Sequence, residues 1–281
     1  MSYDDYLAGE PAIVTAALTG GVHGKEANPN LPETPAEIGE AAAACREAGA
    51  SVVHVHARAD NGERAFSTER FQAIDDEIRS RAPDLVVQHS TGATGASDEA
   101  RLQPLRTDPA PEMASLDMGP LNRYQHLTSE NTRATIDRLY DEMRERGIKP
   151  ELELFNGGQV TETYELLERR DLDDPVYATL IFGSGTLTRP TPENLLALVH
   201  DLPDGASFNT LGFGPHQLPF ATMGLLFGGH VRVGLEDNVY YRRGELAESN
   251  AQLVERVVSV AETLGRPVAT PDETREILNL G

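Results

Sequence analysis

Eight short apolar runs recur along this chain, each followed by a stretch with helix-start signals, and no other feature of the sequence narrows the fold as much. The runs cover residues 12–18, 51–56, 85–89, 112–116, 151–155, 176–182, 206–211 and 231–235. Helical patterns follow them at 34–49, 67–81, 99–105, 130–146, 161–169, from 191 onward, at 218–226 and at 249–264. Thr34-Pro35-Ala36-Glu37 and Thr191-Pro192-Glu193 open two of these helices with a capping threonine and an early proline. Eight strand-helix repeats with no Pro/Gly-rich linker predict an α/β chain closed into a (β/α)8 TIM barrel. That fold typically needs about 250 residues, so residues 1–281 are read as a single domain. An open doubly wound sheet is the alternative, weakened because Gly20-Gly21 falls in a long loop and not at a helix start. A last helix opens at Thr270-Pro271-Asp272-Glu273 and is expected on the barrel exterior or against a neighbouring subunit.

Composition then removes several function classes. Hydrophobic residues make up 39% of the chain, enough to bury a core without disulfides or a structural metal. The one cysteine, Cys45, sits at an apolar helical position, which excludes an intrachain disulfide and a cysteine-built zinc cluster. A net charge of -21 repels phosphate backbones and anionic lipid heads, so neither nucleic acid nor a membrane surface is the expected partner. No apolar run is long enough to span a membrane, and residues 1–10 are acidic where a signal peptide is basic; a cytoplasmic setting is the expectation. Of the 24 basic residues only Lys25 and Lys149 are lysines, a pattern suited to a carboxylate-rich surface solvated in concentrated salt.

Barrel enzymes keep their chemistry at the carboxyl ends of the strands, so polar residues there carry the most weight. In Val53-His54-Val55-His56, two imidazoles two residues apart share one face of a strand. They are either a pair of metal ligands or two structurally hydrogen-bonded histidines, and spacing alone does not choose. Strand eight ends in Glu236-Asp237 and neighbours strand one, as strand two does in a closed barrel. Glu236 is therefore the candidate third ligand in a two-histidine, one-carboxylate site, unless it belongs to a solvated acidic loop. Asp237 is the candidate general base, and Arg232 either fixes that carboxylate or forms an ion pair at the barrel bottom. Ser90, in Gln88-His89-Ser90-Thr91-Gly92, and Ser115, at the end of strand four, are candidate pocket residues.

These residues resemble the β-keto acid cleavage enzyme family. The resemblance runs through Thr15-Ala16-Ala17-Leu18-Thr19-Gly20, Asn28-Pro29-Asn30-Leu31-Pro32, His54-Val55-His56-Ala57-Arg58, Gln88 to Gly92, Pro111 to Leu116, Gly228 to Asn238, Glu248 to Val254 and Leu264 to Pro271. It implies a Zn²⁺-dependent barrel, usually a homotetramer, that reacts a β-keto acid with acetyl-CoA to give acetoacetate and a new acyl-CoA. His54, His56 and Glu236 would hold the metal. Asp237, assisted by Arg232, would take the C2 proton, Ser90 would grip the substrate carboxylate and Ser115 would assist.

Three departures from the family bear on specificity. The loop after strand one offers Gly21-Val22-His23 where family members that act on an amino substrate have a glutamate for its amino group. Pro215 follows strand seven where a Gly-Arg or Gly-Lys is usual, and the loop 183–186 is short; both touch the CoA-anchoring side. A CoA-independent metal-dependent aldolase or hydrolase using the same site is the second reading, and a non-catalytic barrel is the third. Because salt screens repulsion among surface carboxylates, the melting temperature is expected to rise between low and molar salt; a flat or falling melting curve series would remove the saline reading.

Overall fold

The computed structural model describes residues 10–92, 94–123, 127–183 and 188–281. The acidic start at residues 1–9 and most of the short loop at 183–186 lie outside the described residues. Eight parallel strands close into a barrel in sequence order: β1 Val14–Thr19, β2 Val52–Val55, β3 Val86–His89, β4 Met113–Asp117, β5 Lys149–Leu154, β6 Tyr177–Phe182, β7 Ser207–Gly212 and β8 His230–Val233. The ring shuts where β1 pairs with both β2 and β8, so the closed barrel stands and the open sheet does not.

The helices are α1 Pro35–Glu47, α2 Thr68–Arg81, α3 Asp98–Leu102, α4 Arg133–Glu145, α5 Gly157–Arg169, α6 Pro192–Asp201, α7 Gln217–Leu226, α8 Asn250–Thr263 and α9 Pro271–Leu278. Thr34 and Thr270 each form a full capping box, with Glu37 and Glu273 reaching back to the cap backbone. Helix α5 starts four residues before the expected 161. Asn156 caps it through Gln159 N, which offsets the poor helix propensity of Gly157-Gly158.

Along the strands the side-chain period of two stacks the interior into layers. Val52, Val86, Met113 and Tyr177, with Ile13, make an apolar layer at the amino end. Two residues on come His54, Gln88, Ser115 and Thr179, all buried; two further come His56, Ser90, Asp117 and Ile181. The outward faces pack under the helices in two clusters, one around β1, β2 and β8 and one around β4, β5 and β6. Among the described helices none is long and apolar enough to cross a membrane.

Helix α9 corrects the expected exterior location. Its Leu278 joins Ile13, Val52, Val86, Met113 and Tyr177, so it closes the floor of the barrel. Thr274 Oγ1 donates to Ser51 Oγ at 2.8 Å, and Arg275 Nε pairs with Glu112 at 2.6 Å, fixing the helix across the strand starts. Leu278 is fully buried, so Leu278→Ala is expected to cost about 2–4 kcal/mol, read as a lower urea midpoint at unchanged m-value.

Candidate metal centre and active site

Strand β2 aims His54 into the barrel, and His56 follows on the same face just past the strand end. Their rings meet edge to face with centroids 5.3 Å apart. Glu236 arrives from the far side of β1. The chain turns at Gly234, where φ is +146° and a Cβ would stand 2.1 Å from Ala17 O, so only glycine permits this path. Glu236 N then donates to Ala17 O, and its Cγ lies against Gly20, where a Cβ would come within 2.7 Å. Buried Asn250 locks the same turn by accepting from Leu235 N and donating to Leu18 O.

The result places His54 Nε2 3.6 Å and His56 Nε2 3.3 Å from the Glu236 carboxylate. One ligand atom from each of the three lies within 4.8 Å of the others. His54 Nδ1 donates to Gln88 Oε1 at 2.6 Å, because the Gln88 amide nitrogen is committed to Glu151. That leaves Nε2 as the lone-pair atom facing Glu236. Burial first, then Arg232, hold the His54 pKa down to about 3, so the imidazole stays neutral and able to ligate. Glu236 Oε2 is buried without a hydrogen-bond partner, which a cation would supply. The donor set, two imidazoles and a carboxylate, fits a divalent metal with open positions.

Arg232, which alternation along β8 points inward, is buried at the mouth and not at the barrel bottom. Its Nε donates to Asp237 Oδ2 at 2.9 Å and its Nη2 to Glu236 Oε1 at 2.7 Å, while Nη1 lies 3.5 Å from Glu153 Oε1. Burial opposes its charge, but Asp237, Glu236 and Glu153 together keep it protonated. The adjacent carboxyls divide. Burial pushes Asp237 up to about 6, against Arg232 and with the help of Glu236. Burial also works against ionised Glu236, yet Arg232 and the two imidazoles outweigh it and hold its pKa low. One acid is thus a standing anion and the other can exchange a proton near neutrality.

Ser90 sits beside this cluster, its hydroxyl accepting from Gly92 N at 3.2 Å. Ser115 lies beneath it: its Oγ accepts from Thr91 N, and Thr91 Oγ1 donates to Ser115 O, so it braces the Ser90 loop and keeps its own O–H to donate. Sequence reasoning missed Gln88, Glu151, Glu153 and Asn250. Glu153 is pushed well above the usual carboxylate range by burial and by Asp117 beside it. The signal was Glu151-Leu152-Glu153-Leu154, two acids alternating with leucines inside a strand.

Arg58, immediately after the two histidines, donates to the carbonyls of Gly20 and His23 and so clamps the loop that carries Gly21-Val22-His23. Pro215 sits exposed in a short 3-10 turn, Gly214–His216, whose Gly214 N donates to Asp237 O at 2.8 Å.

The sequence profile of the beta-keto acid cleavage enzyme family matches residues 11–280. The 3-keto-5-aminohexanoate cleavage enzyme of Acetoanaerobium sticklandii is 42% identical over 272 residues, covering 96% of this chain and 99% of that protein. The 3-oxoadipate:acetyl-CoA acetyltransferase of Cupriavidus necator is 35% identical over 275 residues, covering 96% and 95%. Among solved structures, apo ObcA superposes with a TM-score of 0.81 at 22% identity, over 90% of this chain and 66% of that longer one, a likeness of fold.

Gln88 fixes the tautomer of His54, so Gln88→Leu is expected to weaken divalent-metal affinity by about 10–100-fold in a metal titration, with circular dichroism confirming the fold.

Proposed function

The chain belongs to the beta-keto acid cleavage enzyme family, and from that premise we propose that it reacts a β-keto acid with acetyl-CoA to yield acetoacetate and an acyl-CoA. The observation that carries the reading is the cluster of His54, His56 and Glu236 with the proton-exchanging Asp237 next to it. Those three ligands would hold a divalent cation, Zn²⁺ by the donor set, which would supply Lewis-acid chemistry to the reaction. Asp237 takes the acidic C2 proton, and the Arg232 hydrogen bond holds its carboxylate in place while it does so. The C2 carbanion attacks the thioester carbonyl, CoA passes to the original C3 acyl carbon, and the C2–C3 bond breaks. Asp237 returns its proton to C2, and acetoacetate leaves carrying the substrate's carboxylate and the acetyl group. Ser90 binds that carboxylate, and Ser115 keeps the Ser90 loop in register.

The clamped Gly21-Val22-His23 turn presents no carboxylate at the place where an amino substrate would need one, which favours a substrate without that amino group. A homotetramer completes the reading, on the family resemblance.

A panel of β-keto acids incubated with and without acetyl-CoA, reading acetoacetate, tests the proposal. Cleavage at equal rate without acetyl-CoA would replace it with a CoA-independent aldolase or hydrolase. Asp237→Asn is expected to lower kcat by about 10²–10⁴-fold at unchanged metal content. Because the base must be ionised, kcat/KM is expected to fall with pH along an acid limb at or below about 6, since a bound cation only lowers the Asp237 pKa further. A limb clearly above that value would exclude Asp237 as the base.

A further inference from the structure

Glu151 is a buried acid for which the chemistry above has no use. Leu152 and Leu154 on the same strand pack outward under the helices, so alternation along β5 turns Glu151 into the barrel, where it has no exposure to water. Glu153 and Asp237 face Arg232, but Glu151 forms no ion pair among the described residues. A buried carboxylate without a cation is costly unless hydrogen-bond donors meet it, and here each oxygen has one. Thr179 Oγ1 donates to Oε1 at 2.5 Å, and Gln88 Nε2 donates to Oε2. Gln88 reaches across from β3 over β4, whose residue in register with Glu151 is the small Ser115.

From Glu151 the bonds run in one direction. A carboxylate only accepts, so the Gln88 amide turns its NH2 toward Glu151 and leaves Oε1 for His54 Nδ1, 2.6 Å away. An oxygen acceptor there requires the ring proton on Nδ1, and Nε2 keeps its lone pair toward Glu236. With the amide reversed, its NH2 would donate to Nδ1, the ring proton would sit on Nε2, and His54 could not ligate through that atom. Shape does not choose between the two arrangements, because the two ends of an amide are nearly the same size. A neutral imidazole accepts or donates at Nδ1, and the Thr179 hydroxyl also serves either way. Of the four groups only Glu151 is restricted to accepting.

We propose that Glu151 is a positioning residue for the metal centre: it sets the direction of the hydrogen-bond chain from Thr179 through Gln88 to His54, and with it the tautomer in which His54 meets a cation. The proposal rests on the metal-site reading above. Gln88 transmits the direction, and Glu151, which touches neither ligand nor substrate, decides it.

Glu151→Gln keeps the shape and removes the restriction, since the new amide can accept from Thr179 and donate to Gln88, which reverses the chain. Zn²⁺ affinity, read by competition with a chromophoric chelator, is expected to fall about tenfold. Nitrogen NMR of the imidazoles in the metal-free protein is expected to show the His54 proton moving from Nδ1 to Nε2. Adding Gln88→Glu moves the carboxylate one place along the chain and restores its direction, so the double variant is expected to recover both wild-type readings, whereas a merely structural role predicts that the second substitution adds to the loss. A tautomer unchanged in Glu151→Gln overturns the proposal, even where affinity falls, because removal of charge alone would then account for the loss. A double variant that binds Zn²⁺ no better than the single one also overturns it. The wild-type spectrum tests the same point without relying on any variant to fold: a His54 proton on Nε2 refutes the assignment. Equal Zn²⁺ binding by wild type and Glu151→Gln sinks the role of Glu151 alone, and no Zn²⁺ binding by the wild type sinks the metal-site reading with it.

Discussion

The mouth of this barrel is organised around one buried guanidinium. Arg232 has almost no access to water, so its charge must be met by protein anions, and three carboxyls surround it. Two of them are consecutive in sequence. Glu236 also faces two imidazoles and remains ionised, while Asp237, with only Arg232 as a directly bonded cation, is held near the point of protonation. A single side chain thereby gives neighbouring acids different chemistry, one suited to holding a cation and one to moving a proton. The planar fork of arginine suits this because Nε and Nη2 reach different carboxylates at once.

That arrangement is expensive in desolvation, and the rest of the fold offsets it. The interior layer beneath the mouth is polar but largely connected, from His54 through Gln88 and Glu151 to Thr179. Stability comes instead from the apolar belts between strands and helices and from the floor sealed by α9. Separating the two functions lets the mouth carry unsatisfied groups such as Glu236 Oε2 without weakening the core.

Most of the architecture was legible in the sequence because strand period, helix caps and crossover logic are local rules that all agreed. Where the reading slipped, either a local cap went unread or a longer-range contact overrode a local signal. Helix α5 begins in two glycines because Asn156 and Gln159 satisfy backbone donors there. Strand β8 ends at Val233, two residues before the expected 235, because the chain must bend at Gly234 to pass Ala17. Among the candidate residues, the expected ligands converge, and Arg232 and Asp237 join them. Ser115 was visible as an inward residue, but its service to Thr91 was not, since that bond links β4 to the loop after β3. Gln88 and Glu153 went unnoticed because an inward polar residue acquires meaning only from what faces it across the barrel.

By itself the sequence determined the number and order of the strand-helix units, the inward period of the histidines and the adjacency of Glu236 and Asp237, since all of these follow from spacing along one chain. Only the tertiary structure decided that α9 seals the floor, that Arg232 lies at the mouth and that two adjacent acids differ in proton affinity. Those properties depend on burial and on charges brought close from distant segments, and neither is set by any stretch of sequence taken alone.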